Sequence, residues 1–146
     1  MSDEFFTSYD IRGKVQEGAS LETAWNIGKA LADWLPTYGK VVVVRGDGAD
    51  ERLFGALIEG LRLQGRDVID GAKGDKDSLI NRIKGGGLSG GVLVSHDIDQ
   101  DVCVIELFDD KAQLIASESG LKAIAELVEA GNFVPSATKG ELTAIV

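Results

Sequence analysis

Cysteine, histidine and methionine each occur once in these 146 residues, and proline only twice. A lone Cys103 can form no internal disulfide, which fits a reducing compartment, and its apolar neighbours mark it as a packing thiol rather than a nucleophile. No apolar run approaches the length of a membrane span. The start, Met1-Ser-Asp-Glu, has the wrong sign for a signal peptide, and no apolar segment follows it. Positive charge is also in short supply: 15 Lys and Arg against 24 Asp and Glu leave a net charge of −9. Such a chain is repelled by phosphate backbones and by anionic lipid, so nucleic-acid and membrane partners are excluded from the reading. Repeats, low-complexity blocks and internal linkers are missing too. The expectation is one cytoplasmic domain over residues 1–146, long enough to bury a core without staples.

What is present alternates between strand and helix patterns. Phe5 to Tyr9 suits an extended segment, closed by the turn residue Gly13. Ser20 is a candidate N-cap for a helix carrying Leu21, Ala24, Trp25, Gly28, Ala32 and Leu35, which Pro36 ends. Val41 to Val44 is apolar throughout and reads as a central strand covered on both faces. A polar loop, Arg45 to Glu51, leads to a helix with Leu53, Phe54, Leu57, Ile58 and Leu61 on one face. Arg66 to Asp70 reads as a second strand, Gly71 to Asp77 as a loop, and Leu79, Ile80 and Ile83 as a short helix. The glycine-rich stretch Gly85 to Gly91 reads as a flexible connection into the strand Val92 to Val94. A strand from Val102 to Phe108, a turn at Asp109 to Lys111, and a short return at Gln113 to Ile115 follow. The last helix has Leu121, Ile124, Ala125 and Val128 inward and stops at Gly131-Asn132; the tail to Val146 reads as irregular. Strand–helix alternation with short loops predicts an α/β fold with a mostly parallel sheet and helices on both faces.

The chemistry gathers after Val92 to Val94. That buried strand stops at Ser95 and His96, the chain's only histidine, and three aspartates follow at alternate positions, Asp97, Asp99 and Asp101. Open α/β sheets hold ligands beyond the carboxyl ends of their strands. The acidic triplet is a solvated turn or, in a sharper reading, a Mg2+ site beside Ser95. An EF-hand does not fit it, because Val102 stands where the glycine and Phe108 where the glutamate would be needed. Arg12, between Ile11 and Gly13 at a loop start, offers a planar bidentate anion clamp. Gly46 and Gly48 precede a helix but lack phosphate-loop spacing, so a tight turn explains them.

Ser95-His96, the segment Tyr9 to Gly13 (Tyr-Asp-Ile-Arg-Gly) and the helix end Ala56 to Leu61 together resemble the first domain of the α-D-phosphohexomutases, the phosphoglucomutase and phosphomannomutase family. That family's Ser-His-Asn-Pro loop carries the serine that is phosphorylated; Asp97 and Ile98 depart from it here. The resemblance implies a three-layer α/β/α sandwich with a small mixed, mostly parallel sheet. It implies Ser95 as phosphoryl carrier, His96 orienting it, and Arg12 and Arg45 as phosphate- or substrate-binding cations. Mg2+ would be held by Ser95 as phosphoserine with Asp97, Asp99 and Asp101. The loop Arg45 to Glu51 offers Ala49 or Asp50 where the family has a second arginine, and Val102 to Ile105 replaces the family's Asn-Gly-x-Lys. Residues from about 132 to 146 resemble the connector to a second domain.

The functional expectation is therefore a stand-alone domain tied to sugar-phosphate metabolism that cannot complete the mutase cycle by itself. It would take a phosphoryl group on Ser95 from a phosphosugar, or work with a partner chain supplying the missing domains. The alternative is a non-catalytic interaction module, a homo-oligomer through the apolar surface that a second domain would cover. A Mg2+-dependent phosphatase with Asp97 as nucleophile ranks last, for want of a supporting lysine.

Overall fold

Four consecutive valines have nowhere to put a solvent-facing side chain, and β2 (Val41–Arg45) accordingly lies inside the sheet with Val41, Val42, Val43 and Val44 fully buried. The computed structural model describes residues 6–7, 10–14 and 19–144; Tyr9 of the first motif falls outside them. Along the chain the elements are β1 (Ile11–Gly13), α1 (Ala19–Trp34), β2, α2 (Glu51–Leu63), β3 (Val68–Lys73), α3 (Lys76–Gly86), β4 (Gly90–Asp97), β5 (Val102–Phe108), α4 (Leu121–Ala130) and β6 (Leu142–Ala144). The strand order is β1-β5-β4-β2-β3-β6. β2 runs parallel to β3 and β4, and β3 parallel to β6; β5 is antiparallel to β4 and β1. The fold is the expected α/β sandwich with a mixed sheet.

Side-chain parity divides the core in two. Val41, Val43, Val92, Val94, Ile105 and Leu107 pack with α1, α2 and α4 on one face, while Val42, Val44, Leu93 and Phe108 meet α3 on the other. α2 buries Leu53, Phe54, Leu57, Ile58 and Leu61, the stripe the periodicity predicts. It lies close against α1 through two glycines. A Cβ on Gly28 would collide with the Leu57 carbonyl oxygen, and one on Gly60 with the Trp25 carbonyl oxygen.

Several segments differ from expectation, among them Gly71 to Asp77, where β3 runs on through Lys73 and α3 begins at Lys76. Gly85 to Gly91 is not a flexible connection: α3 runs through Gly86, Gly87 caps it in the left-handed region at φ 61°, and Gly90 and Gly91 enter β4. The latter two are packed rather than loose, since a Cβ on Gly90 would lie 2.6 Å from the Phe108 carbonyl oxygen. The tail is not irregular throughout; residues 142–144 add a parallel edge strand, anchored where Glu141 N–H donates to Asp67 Oδ1 at 2.9 Å and Gly140 N–H to the Arg62 carbonyl at 2.8 Å. Ser20 lies within the first turn of α1 rather than capping it. The return at Gln113 to Ile115 is a single bridge, Phe108 with Leu114.

Arg66 holds a structural post that its sequence context hides. Its guanidinium is buried and donates to the carbonyls of Ala32, Leu35, Thr37 and Gly39 at 2.6–3.3 Å. The last carbonyls of a helix have no partner within it, and here an arginine before β3 closes the end of α1.

Candidate functional site

β4 delivers Ser95 and His96 at its carboxyl end, beside the end of β2, and the two side chains part there. Consecutive strand residues point to opposite faces. Ser95 follows Leu93 toward the α3 side, while His96 follows Val94 toward the α2 side and packs by Gly48. His96 Nε2 lies 3.1 Å from Asp101 Oδ1. The structure thus does not bring His96 onto the Ser95 face. The Gly46–Gly48 turn is the seat for both: Gly46 N–H donates to the Val94 carbonyl at 2.7 Å, and a Cβ on Gly46 would come 3.1 Å from Ser95 Cβ. Gly48 has φ 72°, a left-handed value that glycine supplies without strain.

Arg12 does lie on the Ser95 face. Val104 pairs with Arg12 on one side and with Ser95 on the other, so all three point the same way, with one strand between the arginine and the serine. Its guanidinium is already held. Nε and Nη2 donate to Asp10 at 3.2 and 2.9 Å, and Nη1 donates to Asp97 Oδ2 at 3.3 Å and to Gln100 Oε1 at 3.0 Å. Burial works to raise the Asp10 carboxyl, but hydrogen bonds from Arg12 and Thr7 outweigh it and hold the group below the usual carboxylate range. The same Asp10 bond, opposed by desolvation, lifts Arg12 above its ordinary value.

Arg45 is not gathered with Ser95. It pairs with Glu51 at 2.8 Å and stacks 5.0 Å from the Phe54 ring, on the α2 side of the sheet. The acidic triplet does not converge either. Asp97 holds Arg12 with Oδ2 and the Gln100 N–H with Oδ1, at 3.2 Å, while Asp101 turns to His96. Asp101 itself sits in the left-handed region at φ 53°, where the β4–β5 turn reverses. Among the described residues no three His, Cys, Asp or Glu side chains are grouped to hold a metal ion. A Mg2+ site on Asp97, Asp99 and Asp101 does not fit this arrangement, because two of the three carboxylates already serve other side chains.

Ser95 instead forms part of the wall of an open cleft of about 600 Å³ between the β2 end and the start of α3, lined also by Asp47, Lys73, Asp75, Lys76, Ser78 and Arg82. Lys76 is paired with Glu106 at 3.0 Å. The start of α3 is satisfied by a capping box in which Asp75 and Ser78 exchange hydrogen bonds. The sequence reading missed Lys73, Lys76, Ser78 and Arg82. The available signal was topological: in a parallel sheet the loop after β3 opens at the same end as the loop after β4. Cys103, by contrast, is buried in the core, and desolvation pushes its thiol up to about 11.

No family model matches the chain. Among proteins of known name it is 34% identical over 134 residues to a phosphomannomutase of Salmonella typhimurium, covering 89% of this chain and 29% of that protein. It is 32% identical over 137 residues to a phosphomannomutase of Klebsiella pneumoniae, covering 89% of this chain and 83% of that one. Of solved structures, a phosphoglucomutase/phosphomannomutase family protein from Burkholderia thailandensis superposes with a TM-score of 0.78 at 23% identity, over 99% of this chain and 33% of that chain. The chain spans less than a third of the length of the Salmonella relative.

Proposed function

The chain belongs to the phosphomannomutase/phosphohexose mutase family, and from that premise we propose that it is a phosphoryl-accepting domain of sugar-phosphate metabolism with Ser95 as acceptor. One observation carries the reading: Ser95 stands at the carboxyl end of a central strand, on the wall of a cleft whose lining includes the cations Lys73, Lys76 and Arg82 together with Asp47 and Asp75. Phosphoryl transfer is mostly positioning and charge neutralisation, so a hydroxyl in a cleft that holds cations is the minimum apparatus. In the step proposed, Ser95 Oγ bonds to phosphorus of a hexose bisphosphate as the sugar O–P bond breaks. The Oγ proton ends on the sugar oxygen that leaves, giving phosphoserine and a hexose monophosphate. The return transfer, the metal and the sugar-binding groups would come from other domains or a partner chain. Cytoplasmic residence follows as part of the same proposal; among the described residues no helix is long and apolar enough to cross a membrane.

The test is intact mass after incubation with glucose 1,6-bisphosphate, with and without Mg2+, using Ser95→Ala as control. A gain of one phosphoryl group by the wild type alone is the expected result. No gain in either condition rejects Ser95 as acceptor. A second reading, a non-catalytic and self-associating module, is favoured by one feature: Arg12 already has carboxylate partners, and beside them Ile98 is 84% exposed at the turn.

A further inference from the structure

The two edges of the sheet are not alike. At β1, Ile11 forms an antiparallel bridge with Phe6, and Arg12 puts a charge on the strand. β6, at the other edge, carries no such guard. Leu142, Thr143 and Ala144 are all exposed, none is charged or proline, and their pairing with β3 runs without a register shift. An open edge of that composition is a template for one more strand.

The register says which backbone groups it offers. The Glu141 carbonyl accepts the Val68 N–H at 2.8 Å, so it points toward β3. Successive residues of a strand aim their backbone groups at opposite edges. Thr143 therefore also faces β3, while Leu142 and Ala144 turn both N–H and C=O outward. An antiparallel copy of the same strand satisfies all of these, Leu142 bonding with Ala144 of the second copy and Ala144 with its Leu142. The side chains agree with this register. Leu142 lies beside Val68 on the α2 face, is 44% exposed, and would gain the second copy's Ala144 as an apolar neighbour. Thr143, beside Ile69 on the α3 face, would meet its own copy on the two-fold axis. The edge is also held in place beforehand. Lys139 Nζ pairs with Glu59 at 2.6 Å and Arg62 Nε donates to the Gly140 carbonyl at 2.9 Å. Gly140 is buried where a Cβ would strike the Arg66 carbonyl oxygen. A strand ordered in advance loses less freedom on pairing.

We propose that the chain forms a two-fold homodimer in which β6 pairs antiparallel with β6 of a second copy, centred on Thr143, to give one continuous sheet. The inference is independent of the reading of Ser95 as acceptor, and it places self-association at β6 rather than at the Ile98 turn. The contact is short, so the dimer is a weak one.

Sedimentation equilibrium of the full chain from about 5 μM to about 500 μM, in about 0.15 M salt, tests it. Ala144→Pro removes an outward N–H and no bond to β3. Thr143→Lys and Thr143→Glu each put like charges together on the axis. All three leave the intramolecular bonds in place and should melt with wild type. Expected are a monomer–dimer equilibrium for wild type and self-association at least about tenfold weaker in each β6 variant. An equimolar mixture of Thr143→Lys and Thr143→Glu should recover the dimer, and Ile98→Asp should associate as wild type does. A wild type monomeric over the whole range would overturn the proposal. So would Thr143 variants that associate like wild type, a mixture that recovers nothing, or loss of the dimer in Ile98→Asp.

Discussion

Arg12 has five N–H donors, and Asp10, Asp97 and Gln100 engage Nε and both terminal nitrogens. Asp97 is the removable competitor among them. Its two oxygens do different work, Oδ2 on Arg12 and Oδ1 on the Gln100 N–H that closes the turn. Asp97→Asn keeps an acceptor for the turn while removing a negative charge on the Ser95 side of the sheet. Both partners are partly exposed, side chains 32% and 29%, so the variant should stay within about 1 kcal/mol of wild type in urea unfolding. Its affinity for glucose 1,6-bisphosphate should rise by roughly threefold to fivefold. Unchanged or weaker binding with an intact fold would mean that Asp97 does not oppose an anion there. The neighbouring residue shows where sequence reading stops. Ser95 and His96 are adjacent in a motif, which suggests joint action, yet period-two geometry sends their side chains to opposite faces.

At the scale of the elements, local pattern was legible wherever a side chain had to choose between core and solvent. The α2 stripe, the buried β2 run and the stop of α4 at Gly131, φ 65°, follow from residues that are themselves part of the element. β6 was not legible, because Leu142-Thr-Ala has no pattern of its own; its order comes from the open edge of β3. Arg66 was not legible either, since nothing near it in sequence announces carbonyls at the end of α1. Burial lowers its pKa from the usual guanidinium value, but the four carbonyls it serves keep the charge solvated from within. Arg66→Ala leaves those acceptors short of a donor in a buried position and opens a cavity. It should cost about 3–5 kcal/mol of unfolding free energy. Arg66→Lys, able to reach only some of them, should lose less. A melting point for Arg66→Ala equal to wild type would show that water replaces the guanidinium without penalty.

For the whole molecule, the controlling quantity is an acid excess that the fold partly ties down. Asp10, Asp50 and Glu59 are all held below ordinary carboxylate values. For Asp10, burial acts upward but the Arg12 and Thr7 bonds prevail; for Asp50 the leading cause is the bond from Arg52, and for Glu59 the bond from Lys139. A carboxylate whose folded pKa is depressed binds fewer protons folded than unfolded, so its contribution is complete above the unfolded value. It is lost as pH falls through the folded one. Stability of the wild type should therefore hold from neutral pH down to about pH 5 and decline below about pH 4. Asp10 is the member of the set that decides the cause, being 9% exposed with both oxygens on Arg12. Asp10→Asn should be less stable than wild type by about 2 kcal/mol at pH 7. That gap should narrow as pH drops, because protonation removes from the wild type the charge the variant never had. Urea unfolding of both proteins between about pH 7 and pH 2.5 reads the gap directly. A gap that stayed constant to the acid end would assign the Asp10 effect to shape and hydrogen-bond geometry rather than to its charge, and the acid sensitivity of the molecule to other carboxylates.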